Sequence, residues 1–94
     1  MIQIAVMGHG VVGSGVVEVF QKNYKSIRRK IGDDAQITRI LDLRDFPGCG
    51  YEDKFTKNFE DIVSDPQISI VAEVMGGLHP AFEFVKECLE REKA

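Results

Sequence analysis

The chain has 94 residues, 44% hydrophobic and 29% charged, with 12 Lys and Arg against 15 Asp and Glu for a net charge of −3. That length suits one small domain with a modest core, and the acidic balance runs against a nucleic-acid surface, which carries a basic bias. No apolar run approaches the ~18 residues that span a bilayer, no signal-peptide pattern precedes the first strand, and two cysteines without metal-ligand spacing, Cys49 and Cys88, fit reduced thiols in a cytoplasmic protein.

Residues 2–7 are short, almost wholly apolar and ended by glycine, which predicts a buried parallel strand. Gly8-His9-Gly10-Val11-Val12-Gly13 follows at once, and from Val12 apolar residues recur every three or four positions through Val16, Val17, Phe20, Tyr24 and Ile27 to Ile31. That spacing predicts one long helix closed by Gly32 as its C-cap. Lys25, Arg28, Arg29 and Lys30 near its end read as a solvated cluster suited to the helix dipole.

Asp33-Asp34 is a turn, and Ile37 to Leu43 a second strand running into Asp42-Leu43-Arg44-Asp45. The glycines and proline of residues 46–53 predict a loop, and 54–57 a very short edge strand. Asn58 is placed to cap a short helix that turns Phe59, Ile62 and Val63 inward and stops at Asp65-Pro66. Ile68 to Met75 reads as the third clear strand, followed by Gly76-Gly77. The last helix starts around Pro80, a favoured first-turn residue, and is expected to bury Ala81, Phe84, Val85, Cys88 and Leu89.

Strands alternating with helices predict an α/β fold, a Rossmann-like parallel sheet forming the first half of a doubly wound NAD(P)-binding domain, with 2–7 flanked by 37–43 and 68–75. The glycine run is the G-x-G-x-x-G fingerprint in its proper context of strand, turn and helix start. Gly8 permits the sharp turn, Gly10 the approach of a pyrophosphate, and Gly13 close packing of helix on strand. The free N–H groups of the first turn and the helix dipole then favour phosphate.

Several residues carry two readings. An acid at the end of the second strand, Asp42, would bond an adenosine ribose hydroxyl and favour NAD, whereas Arg44 would pair with the 2′-phosphate of NADP. Arg44 is the preferred adenosine-side contact. His9 reads as a solvent-facing loop residue acting through its backbone, or else as a contact to cofactor phosphate or ribose. His79 reads as a helix-boundary residue rather than a catalytic base. Glu73 within an apolar strand needs a partner and is expected to bond a loop N–H or face the crevice. Gly15 is expected where close packing admits no side chain.

The G-x-G-x-V-G-S-G-V run, the Ile-Leu-Asp-Leu-Arg-Asp strand end and above all Glu-Val-Met-Gly-Gly-Leu-His-Pro-Ala resemble homoserine dehydrogenase over essentially all 94 residues. The resemblance implies reversible reduction of L-aspartate 4-semialdehyde to L-homoserine with NADP or NAD, in the threonine and methionine branch of amino-acid biosynthesis. It assigns cofactor contact to Gly8, His9, Gly10, Val11, Val12, Gly13, Arg44, Met75, Gly76 and Gly77. It also implies that the catalytic lysine and acidic substrate residues lie in a later substrate domain absent from residues 1–94, so no catalytic residue is assigned. The abrupt end after the last helix suggests part of a larger enzyme, a homo-oligomer at full length, that touches neither nucleic acid nor membrane. Other readings are a different NAD(P)-dependent reductase and a standalone nucleotide-binding module.

Overall fold

The computed structural model describes residues 1–75, 81–91 and 93. In chain order these form β1 (Ile2–Met7), α1 (Val11–Lys22), α2 (Tyr24–Ile31), β2 (Ala35–Leu41), a 3₁₀ turn at Glu52–Lys54, β3 (Phe55–Thr56), α3 (Glu60–Val63), β4 (Ile68–Glu73) and α4 (Ala81–Glu90). The four strands make one parallel sheet in the order β3-β2-β1-β4. β1 is central, as the alternation of strand and helix predicts, and the fold is α/β and Rossmann-like.

Both faces of β1 are covered, which is why the strand reads as continuously apolar. Ala5 and Met7 join Leu41, Ile62 and Ile68 in one cluster, against which Phe59 and Phe84 pack from the α3 and α4 side. Val6 joins Val17, Ile37 and Ile40 on the α1 side, with Phe20, Tyr51 and Phe55 closing over them. Each fully buried side chain of this size contributes about 1.5–3 kcal/mol relative to exposure, so β1 is the member on which both clusters depend.

Two bulges set which residues reach these clusters. Ile4 and Ala5 pair with Ile37 and Arg39, leaving Thr38 as an extra residue in β2. Gln3 and Ile4 pair with Ile68 and Ile70, leaving Ser69 extra in β4. Each extra residue shifts the two-residue alternation by one. Ile37 and Ile40, three apart, therefore share the α1-side cluster, and Ile68 and Val71 share the other. The Lys54 ammonium donates to the Ile37 carbonyl beside the first bulge at 2.9 Å.

Four local expectations change. The long first helix is two, interrupted at Asn23 (φ −106°, ψ 18°), where the side-chain amide donates to the Val19 carbonyl at 2.9 Å and competes with the helix ladder. Gly32 does close it, at φ 77° with its N–H bonded to Arg28 O. β2 starts and stops two residues earlier than predicted, and β4 ends at Glu73. On α4, Cys88 is buried but Val85 and Leu89 are 37% and 65% exposed. The predicted start at Pro80 lies outside the described residues, as does the expected burial of Ala81.

Candidate functional site

The C-terminal ends of β1, β2 and β4 finish level, with Met7 paired to Leu41 and to Glu73. Just beyond them lies a cavity of about 550 Å³ whose walls include Gly8, Gly10, Val11, Val12, Arg44 and Met75. Ligands of open α/β sheets bind at this end. Of the residues singled out in the sequence, these six and Asp42 meet around one space. Gly76, Gly77 and His79 lie outside the described residues.

The glycine loop is shaped by backbone demands. Gly8 stands at φ +105°, and a Cβ there would sit 3.0 Å from the Met75 Cα, so a side chain is excluded by conformation and by contact. A Cβ on Gly13 would lie 2.0 Å from the Gly8 carbonyl oxygen, which fixes glycine as the condition for packing α1 against the turn. Gly10 differs. Its Cβ would meet only Arg44 Nη2, at an ordinary 3.5 Å. Among the described residues nothing forbids a side chain at Gly10, yet such a side chain would stand in the cavity wall and narrow the space a phosphate group needs.

α1 begins at this wall without a side-chain cap and without an acidic residue in its first turn. The first amides of a helix have no intrahelical acceptor, so the positive end of α1 faces the cavity with no side-chain cap or first-turn acid among the described residues. Val11 and Val12 are 92% and 63% exposed. The predicted inward-facing Val12 is thus a wall residue of the cavity instead, and the first buried position of α1 is Gly13. The set fits a dinucleotide: glycine cradle, free helix N–H groups and apolar flanks.

On the β2 side Asp42 and Arg44 form a closed pair. Arg44 donates from Nε to Asp42 Oδ1 at 3.1 Å and from Nη2 to Oδ2 at 2.9 Å, and its backbone N–H reaches Oδ1 at 2.9 Å. The His9 N–H donates to Oδ2 at 2.8 Å. The Arg44 side-chain bonds are the largest cause holding the Asp42 carboxyl well below the usual carboxylate range, against the opposing effect of burial. Outside the pair, Lys57 lines the cavity and reaches Asp45 at 3.0 Å.

His9 is neither solvent-facing nor in the cavity wall. The residue is 4% exposed, its ring packed edge-on against Phe46, Tyr51 and Phe55, with Nε2 3.1 Å from the Tyr51 hydroxyl. Burial lowers its pKa, partly offset by Asp42. The expectation of solvent exposure fails because the 46–55 segment folds back over the glycine loop. Its backbone N–H serves Asp42.

Glu73 meets its expectation of a loop partner: Oε1 accepts from the Met75 N–H at 2.6 Å. Gly15 does not meet its expectation. A Cβ there touches nothing within 4 Å among the described residues, so close packing does not explain that glycine. Leu43, Lys57, Phe59 and Phe84 line the cavity without having been singled out for it. Phe59 and Phe84 stack at 4.1 Å between centroids; the inward turn of Phe59 was legible, its place in a ligand space was not.

Among the described residues no cluster of metal-ligating side chains occurs, and no helix is long and apolar enough to cross a membrane. Both cysteines are free; burial pushes the Cys88 thiol pKa up.

No protein-family model matches the chain. Over 98% of its length it is 37% identical to the homoserine dehydrogenase of Methylobacillus glycogenes and 29% identical to that of Lactococcus lactis. It covers 23% of each. Among solved structures, the homoserine dehydrogenase of Thiobacillus denitrificans superimposes with a TM-score of 0.87 at 34% identity, over 98% of this chain and 22% of that one. The similarity falls on the N-terminal portion of those enzymes, and the chain spans less than a quarter of their length.

Proposed function

We propose that the chain is the NAD(P)-binding portion of a homoserine dehydrogenase, an oxidoreductase interconverting L-aspartate 4-semialdehyde and L-homoserine. One observation carries the reading: the glycine cradle and the uncapped α1 N-terminus open on a cavity of about 550 Å³ at the strand ends, in a chain similar throughout to those enzymes.

In this reading the backbone N–H groups of Gly10, Val11, Val12 and Gly13 hold the pyrophosphate of NADP or NAD. Gly8 makes the turn, Arg44 meets the adenosine side, and Met75 lines the opposite wall; cofactor contact by Gly76 and Gly77, outside the described residues, is what the resemblance implies. His9 contributes through its backbone. The bound nicotinamide supplies hydride chemistry. The chain's own residues supply only binding and orientation, because the substrate groups belong to a part of the enzyme beyond residues 1–94. The full-length enzyme is proposed to be cytoplasmic and homo-oligomeric.

Titration of the full chain with NADH and NADPH tests the cofactor claim, saturable binding of at least one being required. Gly10→Val, whose Cβ meets only the tip of Arg44 among the described residues, is expected to leave the fold intact by circular dichroism and to reduce that binding at least a hundredfold. Undiminished binding by the variant would remove the glycine loop from the site. Homoserine-dependent reduction of NAD or NADP by the full-length enzyme tests the reaction.

A further inference from the structure

Glu73 is a half-buried carboxylate closing a mostly apolar strand, paired with Met7 beside the glycine loop. Holding a charge in such a place costs free energy unless it has a partner. That partner is the Met75 N–H, and the cavity wall is reached by Met75. We propose that Glu73 is a positioning residue for the nicotinamide half of the cofactor: its carboxylate locks the turn after β4, so that Met75 stands against Gly8 and forms the wall on which that half is seated. The proposal rests on reading the cavity as a dinucleotide site.

Three observations carry it. First, Glu73 takes over where the sheet stops. The Val74 N–H still donates to the Met7 carbonyl of β1 at 2.9 Å, whereas the next amide, that of Met75, donates to Glu73 Oε1 at 2.6 Å. A bond from a side chain to the amide two residues on closes a tight turn and sets the direction in which the chain leaves the strand. Second, Met75 has no slack against the glycine loop. A Cβ on Gly8 would lie 3.0 Å from Met75 Cα and Cγ and 3.1 Å from its nitrogen, and one on Gly13 would lie 3.3 Å from Val74 Cγ2. The turn that Glu73 holds is thus seated directly on the loop that cradles the pyrophosphate. Third, a dinucleotide spans the crevice at the strand ends. With its pyrophosphate at the α1 start and its adenosine half towards Arg44 at the β2 end, the other half runs towards β4, where Val74 and Met75 line the cavity.

A bond that merely finished the strand would differ in its consequences. Its loss would loosen the whole site and weaken both halves of a bound cofactor alike, so it would drop out of a ratio of affinities. Loss of the seat under Met75 weakens one half only. The Met75 amide needs an acceptor oxygen, which a glutamine also offers, though a carboxylate binds an N–H more strongly.

The test compares two ligands that share adenosine, pyrophosphate and the second ribose and differ in the nicotinamide ring: NADH against ADP-ribose, or NADPH against 2′-phospho-ADP-ribose if the chain binds that form. In the unchanged full chain the dinucleotide binds more tightly than its ring-free counterpart. Glu73→Leu, which removes the acceptor, is expected to weaken the dinucleotide at least about tenfold, the scale of one buried hydrogen bond left unmade, and the ring-free ligand by no more than about twofold. Glu73→Gln is expected to restore most of that difference. Met75→Ala removes the wall and leaves Glu73 in place; it is expected to show the same selective loss and decides the matter if Glu73→Leu does not fold. Equal loss of both ligands in Glu73→Leu, or no loss of either, overturns the proposal. So does a Glu73→Gln protein as impaired as Glu73→Leu, a ratio unmoved by Met75→Ala, or a ring that adds nothing to affinity in the unchanged chain. Absence of saturable binding of NADH and NADPH to the unchanged chain overturns the dinucleotide reading, and the proposal with it.

Discussion

Single residues divide by whether their requirement is local. Gly8 and Gly13 are legible because a strand–turn–helix junction imposes its own geometry: one needs φ +105°, the other sits on its neighbour's carbonyl. Gly13→Ala is therefore expected to cost at least about 2 kcal/mol of stability through overpacking, measured as a lowered urea midpoint with unchanged slope. Gly15 has the same sequence surroundings and no such requirement. Gly15→Ala is expected to stabilise the protein by about 0.5–1 kcal/mol, the usual gain from removing a helical glycine; a loss in the same measurement would show that something does pack there. His9 was illegible for the opposite reason. Its surroundings are Phe46, Tyr51 and Phe55, some 40 positions away, and no local pattern in the glycine loop points to them.

Elements were legible in kind and order, less so at their ends. The period of three and four placed Val17 and Phe20 on the inward face, but its two ends, Val12 and Ile31, are 63% and 46% exposed, and it could not show the interruption at Asn23, because the apolar stripe continues across it. Strand alternation failed in β2 and β4 where Thr38 and Ser69 are extra, since a bulge arises from pairing with β1 and not from either strand alone. The end of α4 carried no capping signal, yet it is fastened. Lys93 is 7% exposed, and its ammonium donates to the carbonyls of Asp65 and Ile68 at 2.6 and 2.7 Å. These bonds tie the end of α4 to the start of β4. Lys93→Ala leaves two carbonyls without that donor and is expected to cost about 1–3 kcal/mol. Hydrogen exchange should show the loss concentrated at the α4 end and the 65–68 segment. A uniform effect across the sheet would argue against a local fastening.

For the whole molecule, acid sensitivity follows from two groups at the β2 side of the cavity. The folded-state pKa of His9 is lowered, chiefly by burial, and that of Asp42 is lowered, chiefly by Arg44. In both cases the unfolded chain takes up a proton before the folded one does, so both contributions to stability are complete above the unfolded pKa and fade as pH falls below it. Stability should hold near neutrality, begin to fall below about pH 6.5 as the unfolded histidine protonates, and fall again below about pH 4 with the aspartate. Urea midpoints across this range check it, and His9→Phe should remove the first decline. A first decline that persists in His9→Phe assigns it elsewhere.

The two bulges have a consequence for how this chain tolerates change. Both lie toward the lower half of β1, between Gln3 and Ala5, while Met7, Leu41 and Glu73 remain paired at the top. Slack in β2 and β4 is taken up below, so an inserted or deleted residue near Gly32–Asp34 or Asp65–Gln67 can be absorbed by gaining or losing a bulge. The strand ends that frame the cavity then keep their level. Strand length and rim position are thereby uncoupled: the bottom of the sheet can drift while the top stays in gauge.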